Sequence, residues 1–324
     1  MILIMSDCDD LSTIHIIKWL IHWDIPFIRI DRDDKFFLEA IEINNASEPR
    51  YIIFNDKKSI RVNDIKASWY RRGRLNIHIP NREIIFNSPL DEVMDKHLGN
   101  EKQILESFFY YLINKKPHIG TFQTGGMNKL IVLQEASSLG LKIPQTFIST
   151  TNKFPELHSK QLITKSISEG FKYNSKEEWY SQFTEKVEFV NHYHKFFPSL
   201  FQEHIQKEAD LRIFYLCGDF YSMAIRSQES EQTSIDFRKY DRVKPNRSVP
   251  FTLPREIKKK LHDLMMIIGL QTGSIDMVFT KKEEYIFLEV NPVGQFNMTS
   301  VPCNYNLEKI IAQKLVNLAG YGIK

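Results

Sequence analysis

The chain has 324 residues, 42% of them hydrophobic and 26% charged, and a formal net charge of +3. This composition suits a folded protein large enough for two or three subdomains and excludes an intrinsically disordered chain. Lysine and arginine are spread along the sequence, so no nucleic acid is expected, and no run approaches the ~18 apolar residues that span a membrane.

Three cysteines, Cys8, Cys217 and Cys303, lie far apart. An odd, scattered set argues against a disulfide framework or thiolate zinc site and for a reducing compartment, read as cytoplasmic. The first ten residues, MILIMSDCDD, turn acidic after five apolar positions, unlike a signal peptide.

In chain order, MILIMS reads as a buried strand, STIHIIKWLIHW as a helix capped by Ser12 or Thr13, and IPFIRID as a second strand. Strand, helix, strand favours a parallel α/β opening. YIIFND, SIRVND and ASWYRRG form a further strand group, followed by a helix from about Pro89 to Lys115. In GGMNKLIVLQEASSLGLKIPQTFIST a glycine pair precedes a helix, Gly140 ends it, and Pro144 opens an extended segment. QLITKSISEGF is a strand running into a small loop. LFQEHI and DLRIFYLCGDFYSMAIRS are strands, with CGD as a hairpin turn. PREIKKKLHDLMMIIGL and NLEKIIAQKLVNLAG close the chain as helices around the hairpin described next.

GSIDMVFTKKEEYIFLEVNP carries the chemistry. With Lys282 and Glu283 as a hairpin tip, Ile275 faces Val290, Met277 faces Leu288, and Phe279 faces Ile286 on one apolar face. Asp276 then faces Glu289, and Ser274 faces Asn291, on the other. Opposed carboxylates on a sheet repel. A magnesium ion would compensate, because Asp, Glu and Asn supply only oxygen ligands. The alternative is a solvent-exposed face whose carboxylates pair with Lys or Arg from elsewhere. Pro292 and Gly294 stop the strand just beyond and open a loop where a substrate could enter.

A magnesium ion with few protein ligands shares its coordination with phosphates. Neither a Walker-type loop nor a G-x-G-x-x-G fingerprint is present. Lys165, on a strand before SISEG, and Lys129, after the glycine pair, are the phosphate candidates, although each alone also reads as a surface charge. Arg212, Arg226 and Arg238 lie on or beside strands. An arginine on an apolar strand needs a partner, which an ion pair with Asp210 or Glu203 could supply.

Taken in order, Lys129, Lys165, QEHI, DLR, Arg226, DFR, Asp276 and EVNP resemble the ATP-grasp ligase series, and DLR and DFR resemble the ribosomal-protein glutamate ligases. SWYRRG, SQESEQTSIDFRKYD and FLEVNPVGQFNMTSVPCNYNLEKIIA are closer to the peptide-maturing ATP-grasp ligases of the microviridin and graspetide type, in the grasp-with-spasm branch. The resemblance implies an α/β ATP-grasp fold. Its parts would be an N-terminal pre-grasp α/β domain over 1–120, a central subdomain over 121–200, and a C-terminal subdomain with the metal site over 201–324.

It also implies ATP and Mg2+ as cofactors. Lys129 and Lys165 would hold the ATP phosphates. Glu203 and the backbone of His204 or Ile205 would meet adenine, and Asp210 would lie near the ribose, although HIQKEADLR lacks the glycine many ligases carry there. Arg212, Arg226 and Arg238 would stabilise the transferring phosphoryl group and the acyl-phosphate, and Asp276, Glu289 and Asn291 would hold magnesium. Asp236 and Tyr240, in the SIDFRKYD hairpin, and Arg71 and Arg72, in the first domain, would contact the peptide. Tyr70 to Arg72 read equally as a buried aromatic flanked by surface arginines, and SQESEQTS equally as a mobile surface loop.

The activity so implied acts on a ribosomally made precursor peptide, a leader followed by a core rich in Thr/Ser and Asp/Glu. An Asp or Glu side chain is activated as an acyl-phosphate, and a Thr or Ser hydroxyl, or a Lys amine, closes an ω-ester or ω-amide macrocycle. The competing readings are an amino-acid ligase extending a peptide or protein terminus, and a non-catalytic peptide-binding module with a vestigial cleft. Similar ligases are often homodimers, and the resemblance implies the same here.

Overall fold

The computed structural model describes residues 1–45, 47–79, 89–122, 127–152, 161–168, 172–174, 179–181, 184–187, 195–226 and 246–323. The chain runs β1 (Ile2–Ser6), α1 (Leu11–His22), β2 (Phe27–Asp31), β3 (Phe37–Glu42), β4 (Arg50–Phe54), β5 (Ser59–Arg61), β6 (Ala67–Tyr70), α2 (Pro89–Asn114) and β7 (His118–Ile119). It continues with α3 (Lys129–Ser138), β8 (Thr146–Thr151), β9 (Leu162–Lys165), β10 (Lys172–Asn174), β11 (Trp179–Ser181), β12 (Glu185–Val187) and β13 (Lys195–Glu203). The last part holds β14 (Lys207–Leu216), β15 (Asp219–Arg226), β16 (Arg247–Phe251), α4 (Arg255–Ile267), β17 (Thr272–Thr280), β18 (Tyr285–Asn291), α5 (Asn297–Cys303) and α6 (Leu307–Leu318). Two compact units result: Met1–Thr124 with Asn306–Lys324, and Gly125–Tyr305.

In the first unit, the strand–helix–strand opening forms a parallel sheet in the order β2-β1-β6-β7. The cap of α1 is Asp10, whose carboxylate accepts from the Ser12 N–H at 3.0 Å, and not Ser12 or Thr13. Those two side chains are buried instead, and the Thr13 hydroxyl lies 2.7 Å from that of Ser6. An antiparallel sheet β3-β4-β5 adds Tyr51, Ile53 and Ile60 to a core with Leu3, Met5, Ile30 and Phe109. Helix α6 packs on α1, with Lys309 Nζ 5.0 Å from the Trp19 ring centroid. The final helix therefore joins the first unit, whereas the sequence expectation assigned it to the segment 201–324.

The second unit is built around a five-stranded antiparallel sheet, β16-β15-β14-β17-β18. Val132, Leu133 and Ala136 of α3 and Leu261, Leu264 and Met265 of α4 pack with Leu211, Ile213, Ile275, Met277 and Phe287 of the sheet. Alternation then turns Arg212 and Asp276 to the other face. Asn128 caps α3, accepting from the Leu130 N–H at 2.9 Å, and Gly140 follows its end at φ +74°. A second antiparallel sheet has the order β12-β9-β13-β8, and residues 204–206 carry the chain from β13 to β14.

The β17–β18 hairpin departs from uniform pairing. Ser274 pairs with Asn291, Ile275 with Val290 and Asp276 with Glu289, as alternation requires. Beyond a bulge, Met277 pairs with Phe287, Val278 with Ile286 and Phe279 with Tyr285, so the expected pairs Met277–Leu288 and Phe279–Ile286 are not formed. The tip causes the shift. Thr280 N–H donates to Glu284 O at 3.0 Å, leaving a three-residue loop that ends on Glu283 at φ +60°. The extra residue, Leu288, restores the register just before the carboxylates.

Candidate functional site

Asp276 and Glu289 are direct neighbours across β17 and β18, and Arg212 is the partner of Asp276 on the other side, in β14. The Arg212 guanidinium donates from Nη1 to both carboxylate oxygens of Asp276 at 2.6 Å. Its side chain is 8% exposed and that of Asp276 16%. Lys129, the first residue of α3, places Nζ 3.4 Å from Glu289 Oε2, and Lys165, the last of β9, places Nζ 3.7 Å from the same oxygen. Both sheets of the unit thus contribute to one cluster. The structure shows the alternative reading of the hairpin: the carboxylates are paired with cations, and those cations are Arg212 and the two lysines expected to meet phosphates.

Arg212 pairs with Asp276, not with Asp210 or Glu203. Asp210 is held by Lys207, whose Nζ donates to its two oxygens at 2.7 and 2.8 Å, and both residues are buried. The sequence reading gave Lys207 no role and left it between two expected strands; in the structure it is the first residue of β14.

Asn291 Oδ1 accepts from the Val293 N–H at 3.0 Å, and Gly294 N–H closes the turn on Asn291 O at 3.1 Å. Gly294 has φ +62°, and a Cβ there would come within 3.2 Å of the Phe214 ring. The turn therefore lies tightly against the sheet. Among the described residues no three His, Cys, Asp or Glu side chains gather. Two carboxylates and an amide oxygen with a lone pair to spare suit a hard cation that completes its shell with phosphate oxygens. On donor chemistry the residues fit magnesium.

At the expected adenine hinge, His204 N–H is committed to Gln161 O at 2.9 Å and Glu203 N–H to Gln145 O at 3.0 Å. Ile205 N–H has no acceptor among the described residues, so of the two backbone candidates it is the one open to a ligand. Burial lowers the pKa of His204 below its ordinary value, helped by Lys186 and Lys207.

Other expected residues lie elsewhere. Met223, opposite Arg212, and Ile225 share its face, so Arg226 falls on the opposite one, exposed and directly across from Arg247. The strand register does not bring Arg226 to Arg212. Arg71 is not a surface residue: it is buried and donates through Nε to Asp10, while Arg72 is half-buried. Arg238, Asp236, Tyr240 and the SQESEQTS turn lie outside the described residues.

No protein-family profile matches the chain, and no curated protein matches it. Solved structures match over the whole length. The macrocyclase MdnC of Microcystis aeruginosa MRC, bound with precursor peptide MdnA, is 27% identical, with 98% of this chain and 99% of that one covered and a TM-score of 0.69. A RiPP-associated ATP-grasp ligase of Chryseobacterium gregarium, in complex with ADP and a leader and core peptide, is 22% identical over 98% and 96%, with a TM-score of 0.73. The macrocyclase MdnB of Microcystis aeruginosa MRC is 20% identical over 97% and 98%, with a TM-score of 0.71. The fold is that of the ATP-grasp ligases. More particularly, the chain is similar over nearly its whole length to two macrocyclases and a RiPP-associated ATP-grasp ligase.

Proposed function

We propose that this chain is an ATP-dependent ligase that closes ω-ester or ω-amide macrocycles in a ribosomally made precursor peptide. The observation that carries this reading is the convergence of Lys129, Lys165, Arg212, Asp276 and Glu289 on one cluster. It sits within a fold shared with a macrocyclase bound with a precursor peptide and with an ATP-grasp ligase in complex with ADP and a leader and core peptide.

Lys129 and Lys165 hold the ATP phosphates, Ile205 N–H and Glu203 meet the adenine, and Asp210 lies toward the ribose. Magnesium, held by Asp276, Glu289 and Asn291 with the phosphates, would supply charge neutralisation for the transferring group. A carboxylate oxygen of a peptide Asp or Glu attacks the γ-phosphorus as its bond to the leaving ADP oxygen breaks. A Thr or Ser hydroxyl oxygen, or a Lys amine, then attacks the acyl carbon, losing its proton as phosphate leaves. The chain's own work is orientation and charge stabilisation, with Arg212 beside the carboxylates and Arg238 as a second cation. Asp236, Tyr240 and Arg72 contact the peptide, Arg71 is held by Asp10, and the protein works as a cytoplasmic homodimer.

Incubation with magnesium-ATP and the precursor should remove one water from the peptide per bond formed and release an equal amount of ADP. Mild base opens only ester rings, which distinguishes them from amides. Addition of a residue mass would identify a terminus-extending ligase, and ADP release without mass change would refute macrocyclisation.

A further inference from the structure

Helix α2 is anchored to the first unit near its C-terminal end, where Phe109, Leu112 and Ile113 are buried in the core. From Leu90 to Phe108 every residue is exposed or half-buried. A helix draws most of its stability from a packed apolar face, and this stretch turns one to solvent. Leu90, Met94 and Ile104 are 63%, 41% and 67% exposed. With His97, Glu101 and Phe108 they recur at alternating intervals of four and three, the seam of a two-stranded coiled coil. At 3.6 residues per turn Ile113 points the opposite way from Ile104, so the seam and the core use different faces of the helix.

We propose that α2 is a dimerisation helix, pairing antiparallel with α2 of a second copy about a two-fold axis beside Gly99. That register sets Leu90 opposite Phe108 of the second copy, Met94 opposite Ile104, and His97 opposite Glu101, and the symmetry repeats each pair. Apolar meets apolar, and imidazole meets carboxylate. A parallel pair would instead bring Glu101 against Glu101 at the seam, where like charges repel. A helix of another protein would have to bring this complementarity with it; α2 already contains it. The seam from Leu90 to Phe108 is ~27 Å long at 1.5 Å per residue. Covering it on both copies removes on the order of 1,000 Å² from water, the lower limit of a specific interface, so a dissociation constant on the order of 1 μM is expected.

The inference rests on the homodimer reading above and names its surface. The test is sedimentation velocity of the full-length protein at concentrations from about 0.1 to 100 μM, with binding of a fluorescent ADP analogue as the check that each variant folds. The wild type should pass from monomer to dimer across this range. Met94→Glu and Ile104→Glu should each weaken the dimer roughly tenfold or more. His97→Glu, which sets a carboxylate opposite Glu101, should do the same, and adding Glu101→Lys to it should restore the dimer, because opposite charges again face each other. A dimer that tolerates Met94→Glu and Ile104→Glu, or no rescue by Glu101→Lys, would overturn the inference and leave the homodimer reading standing. A wild type that stays monomeric would overturn both, including the outcome in which the monomer binds the precursor peptide through this helix and loses it in the same variants. Peptide cyclisation is measured separately, so the ligase reading is not at stake in either result.

Discussion

Replacing Asp276 with Ala separates the structural from the chemical role of the cluster. At an effective dielectric of ~20 and a charge separation of ~4 Å, the Arg212–Asp276 attraction is about 4 kcal/mol before desolvation. The deletion leaves Arg212, itself only 8% exposed, without its carboxylate. Removing one partner of such a buried pair costs about 3–5 kcal/mol. Relief of the repulsion between Asp276 and Glu289 returns less than ~1 kcal/mol, so the cost dominates. A net loss of about 3 kcal/mol should lower the melting of the second unit by roughly 6–12 °C in scanning calorimetry. Arg212→Met with Asp276→Leu should recover most of that loss, because an apolar pair no longer carries an unpaired buried charge. Peptide modification should stay abolished in both variants. The reasoning is refuted if Asp276→Ala melts like the wild type, or if the double variant is no more stable than the single one.

Gly294→Ala combines a left-handed φ with a Cβ contact at 3.2 Å to the Phe214 ring; it should cost about 1–2 kcal/mol and weaken nucleotide binding, read by calorimetry and analogue fluorescence. His204, with its pKa lowered from 6.5 by burial and by Lys186 and Lys207, should titrate with a midpoint below 6.5 when followed by NMR. The unfolded chain binds that proton more readily, so this contribution to stability is present above pH 6.5 and is lost as pH falls through the folded value; a midpoint above 6.5 contradicts the placement. Burial alone would raise the Asp10 pKa, but Arg71 and the Ser12 and Thr13 N–H groups outweigh it and hold it below 3.8. The stability so gained is present above pH 3.8 and lost as pH falls through the lowered value. Asp10→Ala should destabilise the first unit by about 4–7 kcal/mol through loss of the cap and of the Arg71 partner, measured by urea unfolding.

Much of the candidate site was legible because its rules are local. Alternation along Ser274–Asp276 and Glu289–Asn291 needs only the period of a strand, and it placed both carboxylates on one face and opposite each other. The glycine-ended helix after Asn128 and the Cys217–Gly218 turn, with φ +49° and +96°, follow from capping and turn chemistry in consecutive residues. Identity beyond chemistry came from the order of Lys129, Lys165, DLR, DFR and EVNP, a series legible without coordinates.

What local rules could not supply was the choice among distant partners. The bulge at Leu288 arises because a three-residue tip and the carboxylate pairing require registers that differ by one, and the core accepts Phe287 in place of Leu288. Arg212 had acidic candidates nearby in sequence, yet it meets Asp276 because β14 pairs with β17, and Asp210 goes to Lys207. The cap moves to Asp10 and Arg71 is buried because the start of α1 meets the segment after β6. Sequence by itself determined most of the longer elements, the acidic face and the class of chemistry, since periodicity and capping act within a few residues; short strands such as β3, β10 and β16 carried no such signal. Tertiary structure decided which charges neutralise which, because those pairings depend on strand neighbours brought together from remote parts of the chain.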